Sequence, residues 1–227
     1  MAELIEGLTP ERVRANLEAI RSEIAAAANR VGRSAAEVEV CAATKYLPAH
    51  ELGALAEAGI ALVGENRAQD LEAKVAAHPD RFAWDFIGQL QSRKVKQIVP
   101  LVRLIHSLAS ESALAQLERH ADAAAPGLEA LVEVNVSGEQ DKAGVAPEAL
   151  EEYLARAPVG GVVPITGLMT MPPIAEDPEA SRPYFAHLRE LAHEHGLGRL
   201  SMGTTQDFAV AVEEGATIVR IGTRLYA

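Results

Sequence analysis

Cysteine is almost missing from this chain: Cys41 is the single one among 227 residues. An internal disulfide is therefore excluded, and a reducing, cytoplasmic setting is expected. Positive charge is also scarce. Lys and Arg total 21 against 32 Asp and Glu, the net charge is −11, and no basic run occurs. Nucleic acid and anionic membrane surfaces are thereby disfavoured as partners, whereas a small anionic ligand needs only local positive charge. No apolar run approaches a membrane span, and the acidic start Met1-Ala2-Glu3-Leu4-Ile5-Glu6 does not read as a signal peptide. No metal-binding pattern stands out: His193 and His195 are two apart and cannot share a helix face.

What is present is alternation. Thr9-Pro10-Glu11 opens a helix over about 10–31, with Val13, Leu17, Ile20 and Ile24 at helical spacing and Gly32 closing it. Short β-branched runs then follow at 38–44, 61–63, 83–87, 102–106, 130–136, 164–169, 199–202 and 217–221. Helical stretches near 48–58, 67–78, 92–99, 111–124, 147–156, 178–195 and 205–214 separate them. Strict alternation implies parallel strands with right-handed crossovers. Eight units in this length fit an α/β fold, a closed (β/α)8 TIM barrel spanning 1–227 as one domain. An open doubly wound sheet is the alternative. It is weakened because no glycine-rich dinucleotide fingerprint follows the first strand.

In such a barrel the functional residues stand at the C-terminal strand ends. Lys45 ends the first strand, where an ammonium is costly to bury without a partner. The plain alternative is a lysine that simply turns into solvent. Gly203-Thr204-Thr205 follows the seventh strand and Gly222-Thr223 the eighth, the two loops where this fold recurrently binds phosphate. Glycines let N–H groups approach oxygens, and hydroxyls add donors. Either pair alone reads equally well as turns and caps. Arg220 should share a strand face with Ile218, and its plain role is a structural ion pair. Glu65 and Asn66 read as a turn and cap or as ligand contacts, and Asp207 as a first-turn helix acid. A phosphate cradle with an inward lysine suits a phosphorylated aldehyde. The lysine must be neutral to attack, which burial and neighbouring cations favour. Pyridoxal 5′-phosphate meets each demand, with Arg220 placed for the pyridine nitrogen. Cys41 reads as a packed thiol.

Several stretches in order carry a resemblance: Ala43-Thr44-Lys45, Gly64-Glu65-Asn66-Arg67-Ala68-Gln69, Trp84-Asp85-Phe86-Ile87-Gly88-Gln89, Asn135-Val136-Ser137 with Lys142-Ala143-Gly144, Gly167-Leu168-Met169, Leu200-Ser201-Met202-Gly203 and Val219-Arg220-Ile221-Gly222-Thr223. From about Val38 to the C-terminus the chain resembles the pyridoxal phosphate homeostasis protein family. The resemblance implies an alanine-racemase-like barrel without the C-terminal β-domain. It implies a cofactor aldimine on Lys45, phosphate contacts from Thr205, Gly222 and Thr223, Arg220 at the ring nitrogen and Asn66 beside the cofactor. The candidate cofactor-binding set is Lys45, Asn66, Ser201, Met202, Gly203, Thr205, Arg220, Gly222 and Thr223, with no catalytic residue and no metal. Two departures stand out. Thr204-Thr205 replaces the family's Met-Ser, and Asp85 and Arg93 stand where the family often has histidine and asparagine.

The resemblance implies a protein that buffers pyridoxal phosphate, delivers it to apo-enzymes and influences amino-acid pools without established turnover; a monomer is the default expectation. The rival is a racemase-like enzyme, which needs an acid and a base on opposite faces of the substrate. Only Lys45 is an evident base; Tyr46 and Tyr226 qualify by proximity to strand ends alone. A chain this short is also expected to lack a second domain that closes over substrate.

Overall fold

The computed structural model describes residues 4–140, 142–157 and 161–227. Eight parallel strands close into a barrel in chain order, with β8 (Ile218–Ile221) returning to pair with β1 (Glu39–Ala43). Between them lie β2 (Leu62–Glu65), β3 (Ala83–Phe86), β4 (Leu104–Leu108), β5 (Glu129–Glu133), β6 (Ile165–Met169) and β7 (Arg199–Thr204). The outer helices α2 (Leu52–Glu57), α3 (Ala68–Ala77), α4 (Val95–Ile98), α5 (Glu111–Arg119), α6 (Leu150–Ala155), α7 (Arg182–Glu194) and α8 (Phe208–Glu213) connect consecutive strands. The expected closed barrel is thus observed.

The helix that precedes the barrel, α1 (Pro10–Arg30), completes the outer ring. Its N-cap Thr9 accepts a hydrogen bond from the Arg12 N–H (3.3 Å), and Pro10 holds the first helical position. Its buried stripe of Val13, Leu17, Ile20, Ile24, Ala27 and Ala28 lies against α8 on one side and α2 on the other. The strand β8 leads into the one-turn α9 (Thr223–Tyr226), which also packs against α1. α1 thus stands in the outer ring between α8 and α2.

Strand alternation separates two cores. Ala42, Val63, Phe86, Ile105, Val132, Leu168, Met202 and Val219 face the helices within the large apolar shell. Cys41, Leu104, Leu131, Met169 and Ile218 form a small apolar layer inside the barrel. At the N-terminal ends of the strands, Arg103 and Arg199 pair with Glu39 and Glu129 and make a charged floor.

Strand bounds differ from the sequence expectation in several places: β2 and β7 run two residues further, and β4 and β5 depart most. β4 runs two residues further toward the C-terminal face, to Leu108 opposite Val132, across a register shift. β5 stops at Glu133. Two residues later the Asn135 side chain accepts from the Gly138 N–H (3.1 Å) and donates to the Glu139 carbonyl (2.8 Å). That side-chain turn competes with the ladder and bends the chain away. No helix among the described residues is long and apolar enough to cross a membrane.

Candidate functional site

Register brings the strand ends together. β1 has β2 on one side and β8 on the other, with Ala43 opposite Gly64 and Ala42 opposite Ile221. Lys45 consequently stands above β1 between Asn66 and the Gly222-Thr223 turn. Its side chain is exposed rather than sheltered, and Nζ lies 4.5 Å from the centroid of the Tyr46 ring. A cation over an aromatic face is worth only about 0.5–1 kcal/mol at an exposed position, so the amine is readily displaced.

The backbone beneath Lys45 is held firmly. Lys74, buried on α3, donates to the Thr44 carbonyl (2.9 Å) and pairs closely with Glu65, whose side chain is fully buried. The other Glu65 contacts come from the Thr44 hydroxyl (2.9 Å) and the Asn66 N–H (2.8 Å). One buried ion pair thus ties the strand end that carries Lys45 to the one that carries Asn66. Gly88, after β3, passes so close that a Cβ there would lie 2.1 Å from the Asn66 carbonyl oxygen, so only glycine fits. The Asn66 Oδ1 is buried and has no hydrogen-bond partner among the described residues. Such orphans are rare enough in native proteins to suggest an absent donor.

The loops after β7 and β8 meet. The Gly222 N–H donates to the Thr205 hydroxyl (3.3 Å), which leaves the Thr205 proton free for another acceptor. Thr204 is already engaged, with its N–H (2.7 Å) and hydroxyl (3.2 Å) both directed at Asp207. Asp207 also accepts from Ser181 (2.9 Å). Gly203 has φ +89°, and a Cβ there would fall 2.5 Å from the Ala211 Cβ, so this loop can approach α8 only as glycine.

Arg220 points into the barrel from β8 and is buried, on the same face as Ile218. Its Nη1 donates to the Ser201 carbonyl (2.8 Å) and, more closely, to the Ser201 hydroxyl. Its Nη2 donates to the Thr170 carbonyl (3.0 Å) and faces the Met171 sulfur (2.8 Å). Burial pulls the Arg220 pKa down, against the fields of Cys41, Glu133 and Asp207, yet a guanidinium remains charged in proteins. Glu133, on β5, is raised by burial and only partly compensated by Arg220.

Of the nine candidate residues, Lys45, Asn66, Thr205, Gly222 and Thr223 belong to the adjoining C-terminal ends of β1, β2, β7 and β8. Ser201 supports Arg220 from below, and Gly203 shapes the loop. Met202 lies apart: its side chain is buried in the helix-side shell, as alternation after the inward Ser201 requires. Sequence reasoning missed Lys74, although it continues the buried face of Ala68 and Leu71 at a spacing of three. It also missed His106, inward-facing two residues after Leu104. A cavity of about 590 Å³ lies at the other end between α1 and the floor, lined by Leu17, Ile24, Leu62 and Arg103 among others. No candidate residue borders it.

Comparison with known proteins agrees with this geometry. The family described as alanine racemase, N-terminal domain, matches residues 15–227. A pyridoxal phosphate homeostasis protein of Aquifex aeolicus is 41% identical over 217 residues, 92% of this chain and 95% of that protein. A crystal structure of an unknown protein from Bifidobacterium adolescentis superposes with a TM-score of 0.85 at 30% identity, covering 99% of this chain and 98% of that one. PipY of Synechococcus elongatus, solved with pyridoxal phosphate bound, gives a TM-score of 0.78 at 29% identity over 95% of this chain and 100% of that one. The chain therefore belongs to the alanine racemase N-terminal domain family and, within it, to the pyridoxal phosphate homeostasis proteins.

Proposed function

We propose that this protein binds pyridoxal 5′-phosphate at the barrel mouth, retains it covalently through Lys45 and releases it to apo-enzymes, supporting cofactor and amino-acid homeostasis. The carrying observation is the Gly222–Thr205 junction beside the strand that ends in Lys45. PipY, similar over almost the whole chain, was solved with this cofactor. When bound, the cofactor supplies an aldehyde carbon open to a neutral amine with loss of water, a phosphate, and a pyridine ring.

The residues present suit those three groups. The Thr205 proton and the Thr223 N–H would meet the phosphate, with the Gly222 N–H holding the Thr205 oxygen in place, and Lys45 would meet the aldehyde. Arg220 would meet the ring nitrogen. A permanent cation there disfavours ring protonation, so the ring stays a weak electron sink. The Asn66 Oδ1 would gain the donor it lacks. The reading takes the protein as a monomer in the cytoplasm.

Two observations favour a carrier over a racemase. Lys45 is exposed, which suits loading and release but not the exclusion of water that proton chemistry on a bound amino acid requires. Tyr226 is no free base: its hydroxyl donates to the Ala43 carbonyl (3.1 Å), and burial pushes its pKa up. Titration of the purified protein with pyridoxal phosphate should raise a visible absorption band that Lys45→Ala abolishes. A wild-type protein without that band would sink the reading. Sustained amino-acid turnover that disappears in Lys45→Ala would favour the enzyme instead.

A further inference from the structure

A chain of hydrogen bonds runs through the barrel from the charged floor to Arg220. At the floor, Arg103 grips both oxygens of Glu39 (3.0 and 2.8 Å) and both of Asp85 (2.9 and 3.2 Å). Asp85 Oδ2 then meets His106 Nε2 (3.0 Å), and His106 Nδ1 meets the Ser201 hydroxyl (2.8 Å). The Ser201 oxygen receives Arg220 Nη1. Asp85 and His106 are completely buried.

Such a chain is an expensive filling for a barrel. Apolar side chains of similar volume are often as stable as buried charges or more so, which points to a role other than stability. The protons along it have one consistent order. Asp85 already takes two N–H bonds from Arg103 and is an acceptor only, so His106 Nε2 carries a hydrogen and donates. Burial disfavours a charged imidazole here. The Nδ1 of the neutral ring is then bare and accepts the Ser201 proton. The serine lone pairs are left for Arg220. With Nη1 and Nη2 both occupied, Nε is the guanidinium nitrogen without a hydrogen-bond partner among the described residues.

We infer that Asp85, acting through His106 and Ser201, fixes the orientation of the Arg220 guanidinium toward the ring end of the bound cofactor. Asp85 and His106 are thus positioning residues for that site. The inference rests on the cofactor reading above and deepens it. It also gives Asp85 a task at a position where this chain departs from its family's common histidine.

The test uses histidine nitrogen shifts and cofactor retention in the full chain. In ligand-free wild-type protein at neutral pH, ¹⁵N spectra should show His106 as the Nε2–H tautomer. In Asp85→Asn, the amide oxygen stays on Arg103 and the amide N–H faces the ring, which inverts the tautomer to Nδ1–H. The Ser201 proton then loses its acceptor. Pyridoxal phosphate should leave Asp85→Asn and Ser201→Ala about tenfold faster than wild type, the worth of one charge-assisted hydrogen bond. Ser201→Ala keeps the Asp85–Arg103 pair and covers the case in which Asp85→Asn does not fold. The wild-type tautomer needs no variant at all. A wild-type His106 that carries its proton on Nδ1, or on both nitrogens, overturns the inference. So does unchanged cofactor release in the folded variants. A wild-type protein that takes up no cofactor overturns the cofactor reading itself, a failure visible before any variant is made.

Discussion

Replacing Lys74 by methionine isolates the ion pair under the Lys45 strand end. Glu65 is fully buried, and Lys74 is its sole cationic partner among the described residues. The variant removes that cation and the donor to the Thr44 carbonyl but leaves the Thr44 and Asn66 hydrogen bonds to Glu65. Stranding a buried charge in this way typically costs about 3–5 kcal/mol. For a chain of this size each kcal/mol lowers the melting temperature by roughly 2–4 °C, so a drop of roughly 6–20 °C is expected. Thermal unfolding of ligand-free protein by circular dichroism reads it directly. Combining Lys74→Met with Glu65→Gln removes the stranded charge, and the double variant should recover a large part of the loss. The coupling energy between the two sites should be on the order of 1–3 kcal/mol. A Lys74→Met protein that melts within a degree or two of wild type would refute the buried-pair reasoning. So would a double variant whose loss is the sum of the two singles.

Two further outcomes follow from the same structure. Burial holds the His106 pKa below its ordinary 6.5, so the unfolded chain binds the extra proton first as pH falls. The stability that neutral His106 contributes is whole above pH 6.5 and is lost as pH drops toward the depressed folded value. Wild type should therefore lose stability relative to His106→Gln below that point, by up to about 1.4 kcal/mol per pH unit. Parallel denaturation curves from pH 7.5 to 5 would contradict this. Gly203→Ala should weaken both folding and phosphate binding, because φ is +89° and the added methyl collides with Ala211. Inorganic phosphate binding by calorimetry and thermal unfolding check the two effects; an unchanged variant would show that the loop has room.

The barrel was legible because its signals are local and periodic. Runs of β-branched residues alternate with helical stretches, and each strand's register follows from which face is apolar. The last two loops were legible for a similar reason, since the fold prescribes their place. Features that depend on contacts far apart in sequence were not. The His106–Ser201 bond joins residues 95 apart, and nothing in either strand announces the other. Lys74 hid because a lysine on a helix is ordinarily solvated, although its place on the apolar face was a usable sign. The shelter expected for Lys45 does not appear: past the end of β1 the side chain turns outward over Tyr46. Met202 entered the candidate set through its neighbours, and strand alternation sends it to the helix side.

The role of Lys45 can be tested in one step. The protein is incubated with pyridoxal phosphate, reduced with borohydride and digested, and the peptides are mapped by mass spectrometry. The account predicts a reduced pyridoxyl-phosphate adduct on Lys45. Label confined to other lysines, or none at all, would contradict it.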